Sequence, residues 1–513
     1  MTFSDMSYKR PDTEQLEVKL RALIEIISKA TSLEEINKAI QEFNRLRSHY
    51  ETMDALVYLK HFGNLKDEFF KKEFEYLTSF EPTYSGLKST YYQVLVVSPW
   101  RAQLEENWGK QLFTIAELTI NTYSDEIKED LLEEGKLVAH YHQLMNSIKV
   151  NFNEKVMSLG QLAPFLVSRD RETRRRAHQA KFDALSESED DLNTVFDKLV
   201  KVRTQMAKKL GYKTFIELGY AKLMRSDFDA EMVAAFREQA ASLFVPFVTE
   251  LLEKQCTRLG VSDLKYFDER VFFATGDPGL KVKTVDEMIG ATEQMFKEMS
   301  DETGHYFSFM VKNELLDLGA RDNKLRGGFI HYIRDYQSPF IFANLNGVSD
   351  DVRLLRHESG HGFQFFLNRD QDVPEYLSGT YEVAEIPSMT FELITSPWNH
   401  HFFNQEDLAH YNFIQVMGGP QILPYATAID EFQHLVYAKP DMSPAERNAA
   451  WSALEAKYMP ARDYEGHPYL EKGTFWHQQA HVFTAPFYYI DYVFASLCAL
   501  QFWLRDQESH DET

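Results

Sequence analysis

His357, Glu358 and His361 form a His-Glu-x-x-His pattern within residues 351–366, DVRLLRHESGHGFQFF. On a helix, positions i and i+4 share a face, so both imidazoles can reach one metal ion. Neutral imidazole suits zinc, and three protein ligands leave a fourth position for water. Zinc lowers the pKa of that water to about 7 and polarises a carbonyl, while the intervening glutamate faces the same water as a general base. The spacing therefore predicts hydrolysis at a site holding one Zn2+ per chain. Such a pattern also arises by chance. Here it sits in a helical run: Val352, Leu354 and Leu355 precede it, and Phe363, Phe365 and Phe366 follow.

A third ligand must come from elsewhere, because no histidine follows His361 at the HExxHxxGxxH spacing. The candidates are Glu375, Glu382, Glu385 and Glu392 in PEYLSGTYEVAEIPSMTFELITSPW. Glu385 and Glu392 lie two helical turns apart and share a face. One can ligate while the other accepts a hydrogen bond from a ligating histidine and orients it. Spacing does not choose between them. Asp351 reads either as a support for the site behind His357 or as an acid favoured at a helix start. His477 and His481 repeat the i,i+4 spacing but lack an adjacent glutamate. His477 reads as structural and His481 as a donor to substrate. His331 reads as a satisfied loop histidine, with a place in a cleft as the alternative.

The elements around these residues are mostly helical. Leu16, Leu20, Leu23, Ile24 and Ile27 recur at helical spacing, and Ser32 with Glu35 fits a capping box ahead of Ile36, Ala39, Ile40 and Phe43. Similar patterns cover about 45–80, 102–150, 170–210, 230–260 and 284–312. Turn signals fall at Glu81-Pro82, Ser98-Pro99, Gly160, Gly211-Tyr212, Asp277-Pro278-Gly279 and Gly319, and Pro387 marks a helix start or a kink. One stretch breaks the helical rule. Gly327–Ile333 and Pro339–Asn344 read as two strands of a hairpin, ending just before the histidine motif. The expected organisation is an N-terminal helical lobe over 1–155 and a catalytic lobe over 156–513.

Composition excludes some partners. Fifty-five Lys and Arg against 78 Asp and Glu give a net charge of −23. General binding to nucleic acid backbones and to anionic membranes is therefore not expected. If acids line the cleft, basic peptides are favoured. The two cysteines, Cys256 and Cys498, build neither a disulfide framework nor a cysteine zinc site. The first residues lack a signal-peptide pattern, and the apolar run Val493–Leu504 is too short to span a bilayer. A cytoplasmic protein is expected. Nothing in the sequence specifies an oligomeric state.

HESGH, followed by Glu385 in EIPSM, resembles the thimet oligopeptidase and oligoendopeptidase F group of zinc metallopeptidases. SPFIFANLNGVSDDVRLLRHESGH resembles the family's strand-loop-helix lead-in, and PFYYIDY after His481 its His and Tyr cluster. PWNHHFF and YYIDYVFASLCALQFW look closer to a bacterial oligoendopeptidase branch than to oligoendopeptidase F proper. The resemblance implies a mainly α, two-lobed, neurolysin-like gluzincin fold, with a deep substrate channel and a small sheet beside the motif helix. It implies His357, His361 and Glu385 as zinc ligands and Glu358 as general base. His481, Tyr488 and Tyr492 would stabilise the oxyanion, although the tyrosine spacing departs from that of the animal members. Gly328, Phe340, Ala343, Asn344 and Tyr489 would meet substrate, with the strand Pro339–Asn344 pairing with its backbone. Glu392 and Asp351 would support the metal ligands. The implied activity is cleavage of internal bonds in short unfolded peptides. The alternatives are a dipeptidyl- or carboxypeptidase of related type and a non-catalytic peptide-binding relative.

Overall fold

The computed structural model describes residues 1–510 and 513; the side chain of Glu382 lies outside the described set. The chain opens as paired helices. Leu16, Leu20, Ile24 and Ile27 face inward from Thr13–Lys29, and Ile36, Ile40 and Phe43 from Leu33–Gly63. Asp12 and Ser32 cap these helices by accepting from the Gln15 and Glu35 amides. The next helix, Glu68–Val96, runs straight through Pro82, where the sequence predicts a turn. An interior proline removes one helical hydrogen bond, at a cost of about 3 kcal/mol. Leu77, Phe80, Tyr84 and Leu87 on both sides bury into the same apolar cluster and offset it.

Two further apolar clusters organise the rest. One joins the helices Glu189–Lys209, Gln405–Ala438 and Pro444–Tyr458 to the C-terminal segment through Phe196, Phe432, Trp451, Trp476 and Phe483. The other joins Val285–Met299 and Asp301–Lys312 to a sheet and to the motif helix through Phe296, Phe307, Phe342 and Leu355.

Strands are few. β1 (Lys149–Phe152) and β2 (Lys155–Ser158) form a hairpin where the helical reading runs on to residue 150. Its turn places Asn153 and Glu154 at φ 48° and 61°, the backbone that two-residue hairpins require. The alternation of Val150 and Phe152 ahead of Asn153 is the signal for it. The second sheet holds β3 (Leu316–Gly319), β4 (Phe329–Ile333) and β5 (Ser338–Leu345) in the order β3-β5-β4. β4 and β5 are the expected antiparallel hairpin, and β3 adds to β5 in parallel.

The central place of β5 corrects one expectation. Both of its edges are already paired, so Pro339–Asn344 has no free backbone groups to offer a peptide. Phe340 and Ala343 are buried and Phe340 packs on Phe3, so neither meets substrate. The open edge on this side of the sheet belongs to β4. β5 then turns through Asn346-Gly347 into the motif helix, Asp350–Leu367. Among the described residues no helix is long and apolar enough to cross a membrane.

Candidate metal centre

The motif helix carries His357, Glu358 and His361 on one side, and the helix Tyr381–Ile394 brings Glu385 against them. His357 Nε2 and His361 Nε2 lie 3.2 and 3.3 Å from Glu385 Oε2. Two imidazole nitrogens and one carboxylate oxygen converging on one point are a donor set that zinc accepts. Glu298, His400 and His401 also bring ligand atoms together, but Glu298 and His400 are exposed.

The close approach of the two helices depends on Gly360. A Cβ at this position would lie 2.6 Å from both Pro387 O and Ser388 Cα. Pro387 falls inside its helix, not at the start. On the other side, Gly362 packs against the Tyr306 hydroxyl. The two glycines of HESGHG are therefore packing requirements as well as spacers.

Hydrogen bonds fix the ligands from behind. Glu392 Oε1 accepts from His357 Nδ1 at 2.7 Å and from Arg353 Nη1 at 3.3 Å. With Nδ1 committed to Glu392, His357 turns Nε2 towards Glu385, the nitrogen that would ligate a metal. Arg353 is in turn held by Asp350 at 2.7 Å. Ser388 Oγ donates to Glu385 Oε2 at 2.9 Å, and the Tyr488 hydroxyl donates to Glu385 Oε1 at 2.5 Å.

Glu358 is 4% exposed, and burial pushes its carboxyl above the ordinary range. A Cβ on Gly328 would lie 3.2 Å from Glu358 Oε1, so the chain entering β4 passes directly beside the acid. Asn344 secures that approach, donating from Nδ2 to the carbonyls of Leu325 and Gly327 at 2.7 and 3.0 Å. Its amide is thereby spent on the loop.

The C-terminal segment closes the site. Tyr492 OH lies 3.3 Å from His481 Nε2, and Gln479 Nε2 donates to His481 Nδ1 at 2.8 Å. Burial lowers the His481 pKa to about 4, which keeps the ring neutral. Tyr489 is nearly buried, its ring 5.0 Å from that of His481. His477 is fully buried with Nδ1 2.7 Å from the Tyr469 hydroxyl, and His331 packs on Tyr58.

Two candidate acids stand elsewhere. Asp351 accepts from the Asn346 and Gly347 amides at 2.9 and 2.7 Å, so it shapes the turn into the motif helix and touches no ligand. Glu375 is bound by both guanidinium nitrogens of Arg47 at 2.7 Å, far from the histidines in role. Glu382 falls outside the described side chains. Arg353, Ser388 and Gln479 are site residues that the motif reading passes over. Arg353 had a signal, being one turn before His357 on the same helix face; Ser388 and Gln479 had none.

Residues 3–123 match the model of the peptidase M3 N-terminal domain, and residues 165–512 match that of peptidase family M3. A structure described as PZ peptidase A with inhibitor 2 is 45% identical, with a TM-score of 0.97 over 100% of this chain and 91% of that one. A putative oligoendopeptidase F from Bacillus anthracis str. Ames is 42% identical, with a TM-score of 0.92 over 100% and 90%. The group B oligopeptidase PepB of Streptococcus agalactiae serotype III (strain NEM316) is 20% identical over 333 residues, 62% of this chain and 53% of that protein. The chain thus spans about half the length of that curated relative. With the family match covering most of its length, the chain belongs to peptidase family M3.

Proposed function

We propose that the protein is a zinc-dependent oligoendopeptidase that hydrolyses internal bonds of short unfolded peptides in the cytoplasm. The observation that carries this reading is the convergence of His357, His361 and Glu385 beside a buried Glu358. The names of the similar structures, oligoendopeptidase F and PZ peptidase, support peptide substrates. The two free cysteines suit a reducing compartment.

His357, His361 and Glu385 would hold the zinc ion, which supplies an acidified water and a polarised carbonyl when bound. Glu358 takes a proton from the attacking water and passes it to the leaving amine. Its burial serves this, since a carboxylate that resists ionisation is the stronger base. Glu392 keeps His357 in one tautomer and one orientation. Tyr488, Tyr492 and His481 cluster beside Glu385 and supply donors for charge developing on the carbonyl oxygen. The substrate backbone lies along the open edge of β4, beginning next to Gly328 and Glu358.

The test is a quenched fluorescent peptide blocked at both ends. Wild-type protein should cut it internally, and Glu358→Gln should keep its zinc by elemental analysis yet lose about 10²–10⁴ in rate. Cleavage confined to peptides with a free terminus would replace the endopeptidase reading. Undiminished turnover in Glu358→Gln would remove the assigned base.

A further inference from the structure

PWNHHFF holds two adjacent histidines to which the peptidase reading gives no task. His400 and His401 end the short helix Ser396–His401, and Glu298 stands in the last turn of the helix Val285–Met299 packed against it. One ligand atom from each of the three lies within 4.8 Å of the other two. His401 Nε2 and Glu298 Oε2 are 2.9 Å apart, and the two imidazole centroids are 4.1 Å apart.

These donors are oriented from behind. Pro397 O lies 3.1 Å from His400 Nδ1, and a carbonyl oxygen only accepts, so Nδ1 carries the proton. The neutral ring then presents Nε2 as a lone pair. Gln294 Nε2 donates to Glu298 Oε1 at 2.7 Å, which leaves Oε2 for His401. The backbone under the histidines is held as well. Lys281 Nζ donates to His400 O at 2.6 Å, and the Lys281 amide to Phe402 O at 2.9 Å. Asn399 is fully buried; it accepts from Arg356 Nη1 at 2.5 Å and donates to Asn412 and Gln415 at 2.6 Å each.

Two imidazoles on a fixed backbone facing a carboxylate suit a borderline-soft divalent ion. With zinc–ligand bonds of about 2.0–2.1 Å, tetrahedral ligand atoms stand about 3.4 Å apart, so the three must close by at most about 1.4 Å. Glu298 and His400 are exposed, so both side chains can swing that far without disturbing the core. The proton now shared by His401 Nε2 and Glu298 Oε2 leaves to solvent as the ion takes its place. We propose that Glu298, His400 and His401 form a second, peripheral site for a divalent transition metal, zinc in the first place. The ion pins the end of Val285–Met299 to the segment that follows the Glu385 helix. Mg2+ and Ca2+, which take oxygen donors, do not fill it. The site shares no residue with the proposed catalytic centre and does not depend on the peptidase reading.

The experiment is equilibrium dialysis of the full chain against excess Zn2+, with zinc counted by elemental analysis. Wild type should hold two ions per chain, and His400→Ala and Glu298→Gln one each. Both substituted residues are exposed, so the metal-free variants should melt with wild type. Zinc added to protein that already holds one equivalent should raise the melting temperature of wild type and leave that of His400→Ala unchanged. Mg2+ in place of Zn2+ should produce neither effect. Glu385→Ala should lose the ion of the proposed catalytic centre and keep the peripheral one, so the two sites fail separately. If the catalytic centre held no zinc, wild type would carry a single ion that His400→Ala removes and Glu385→Ala retains. A second equivalent that survives both His400→Ala and Glu298→Gln would overturn the proposal. So would a wild type that takes up no more zinc than these variants.

Discussion

Gly360→Ala is the most informative single perturbation of the metal centre. In an open helix this change stabilises, by up to about 1 kcal/mol, because alanine loses less backbone entropy. At Gly360 the new methyl would lie 2.6 Å from Pro387 O and Ser388 Cα, both backbone atoms that cannot swing aside. Ordinary contact needs about 0.8 Å more room, so the motif helix and the Glu385 helix must separate by most of that distance. Overpacking of this kind costs about 1–3 kcal/mol, which set against the gain in propensity leaves a net loss of up to about 2 kcal/mol. The same separation pulls Glu385 from the two histidines. Site geometry tolerates about 0.5 Å, so zinc affinity should fall by at least tenfold. The assays are chelator competition for zinc and thermal unfolding of the metal-free protein. Gly290→Ala serves as control, since Gly290 sits in the helix Val285–Met299 with nothing within 4 Å of its Cβ position; it should raise the melting temperature. If Gly360→Ala binds zinc normally and melts no lower than wild type, the argument that glycine sets the helix spacing is wrong.

Three further outcomes are expected. Glu392→Gln should weaken zinc binding about 10–100-fold by loosening His357 while leaving the fold intact, and unchanged affinity by competition titration would deny Glu392 its orienting part. Glu375→Ala leaves the buried Arg47 guanidinium without its carboxylate, at a cost of about 3–5 kcal/mol, so the melting temperature should drop steeply; a shift of a degree or less would refute this. Burial, with Glu81 and Glu51 nearby, raises the Asp54 carboxyl to about 7. The folded state then holds a proton that the unfolded chain releases near pH 4, so this contribution is full below about pH 4 and lost as pH rises through 7. Asp54→Asn should flatten the fall in melting temperature between pH 4 and 7, and parallel curves for both proteins would exclude the assignment.

Local rules read much of the fold well. Apolar spacing over Thr13–Lys29 and Leu33–Gly63 gives amphipathic helices because the inward face is written into the order of residues. The β4–β5 hairpin shows through its β-branched and aromatic run. Where reading failed, a distant partner had intervened. Pro82 stays helical because both flanks are buried in one cluster. β3 is too short to announce itself and exists because β5 offers it an edge. Phe340 and Ala343 look suited to a cleft but lie in the central strand, since a strand does not reveal how many neighbours it has.

What the sequence determined by itself is whatever one helix can enforce. Two histidines and a glutamate at fixed spacing share a face on any straight helix, so the metal-ligand pair and its acid follow from residue order alone. The roles of the remaining acids could not follow. Glu375, Glu385, Glu392 and Asp351 are alike as residues and differ only in what the folded chain sets opposite them: Arg47, two imidazoles, an Nδ1–H with Arg353, and a pair of turn amides. A carboxylate's chemistry is set by the charges and donors within a few ångströms, and for Glu375, Glu385 and Glu392 those neighbours are supplied by segments tens or hundreds of residues away.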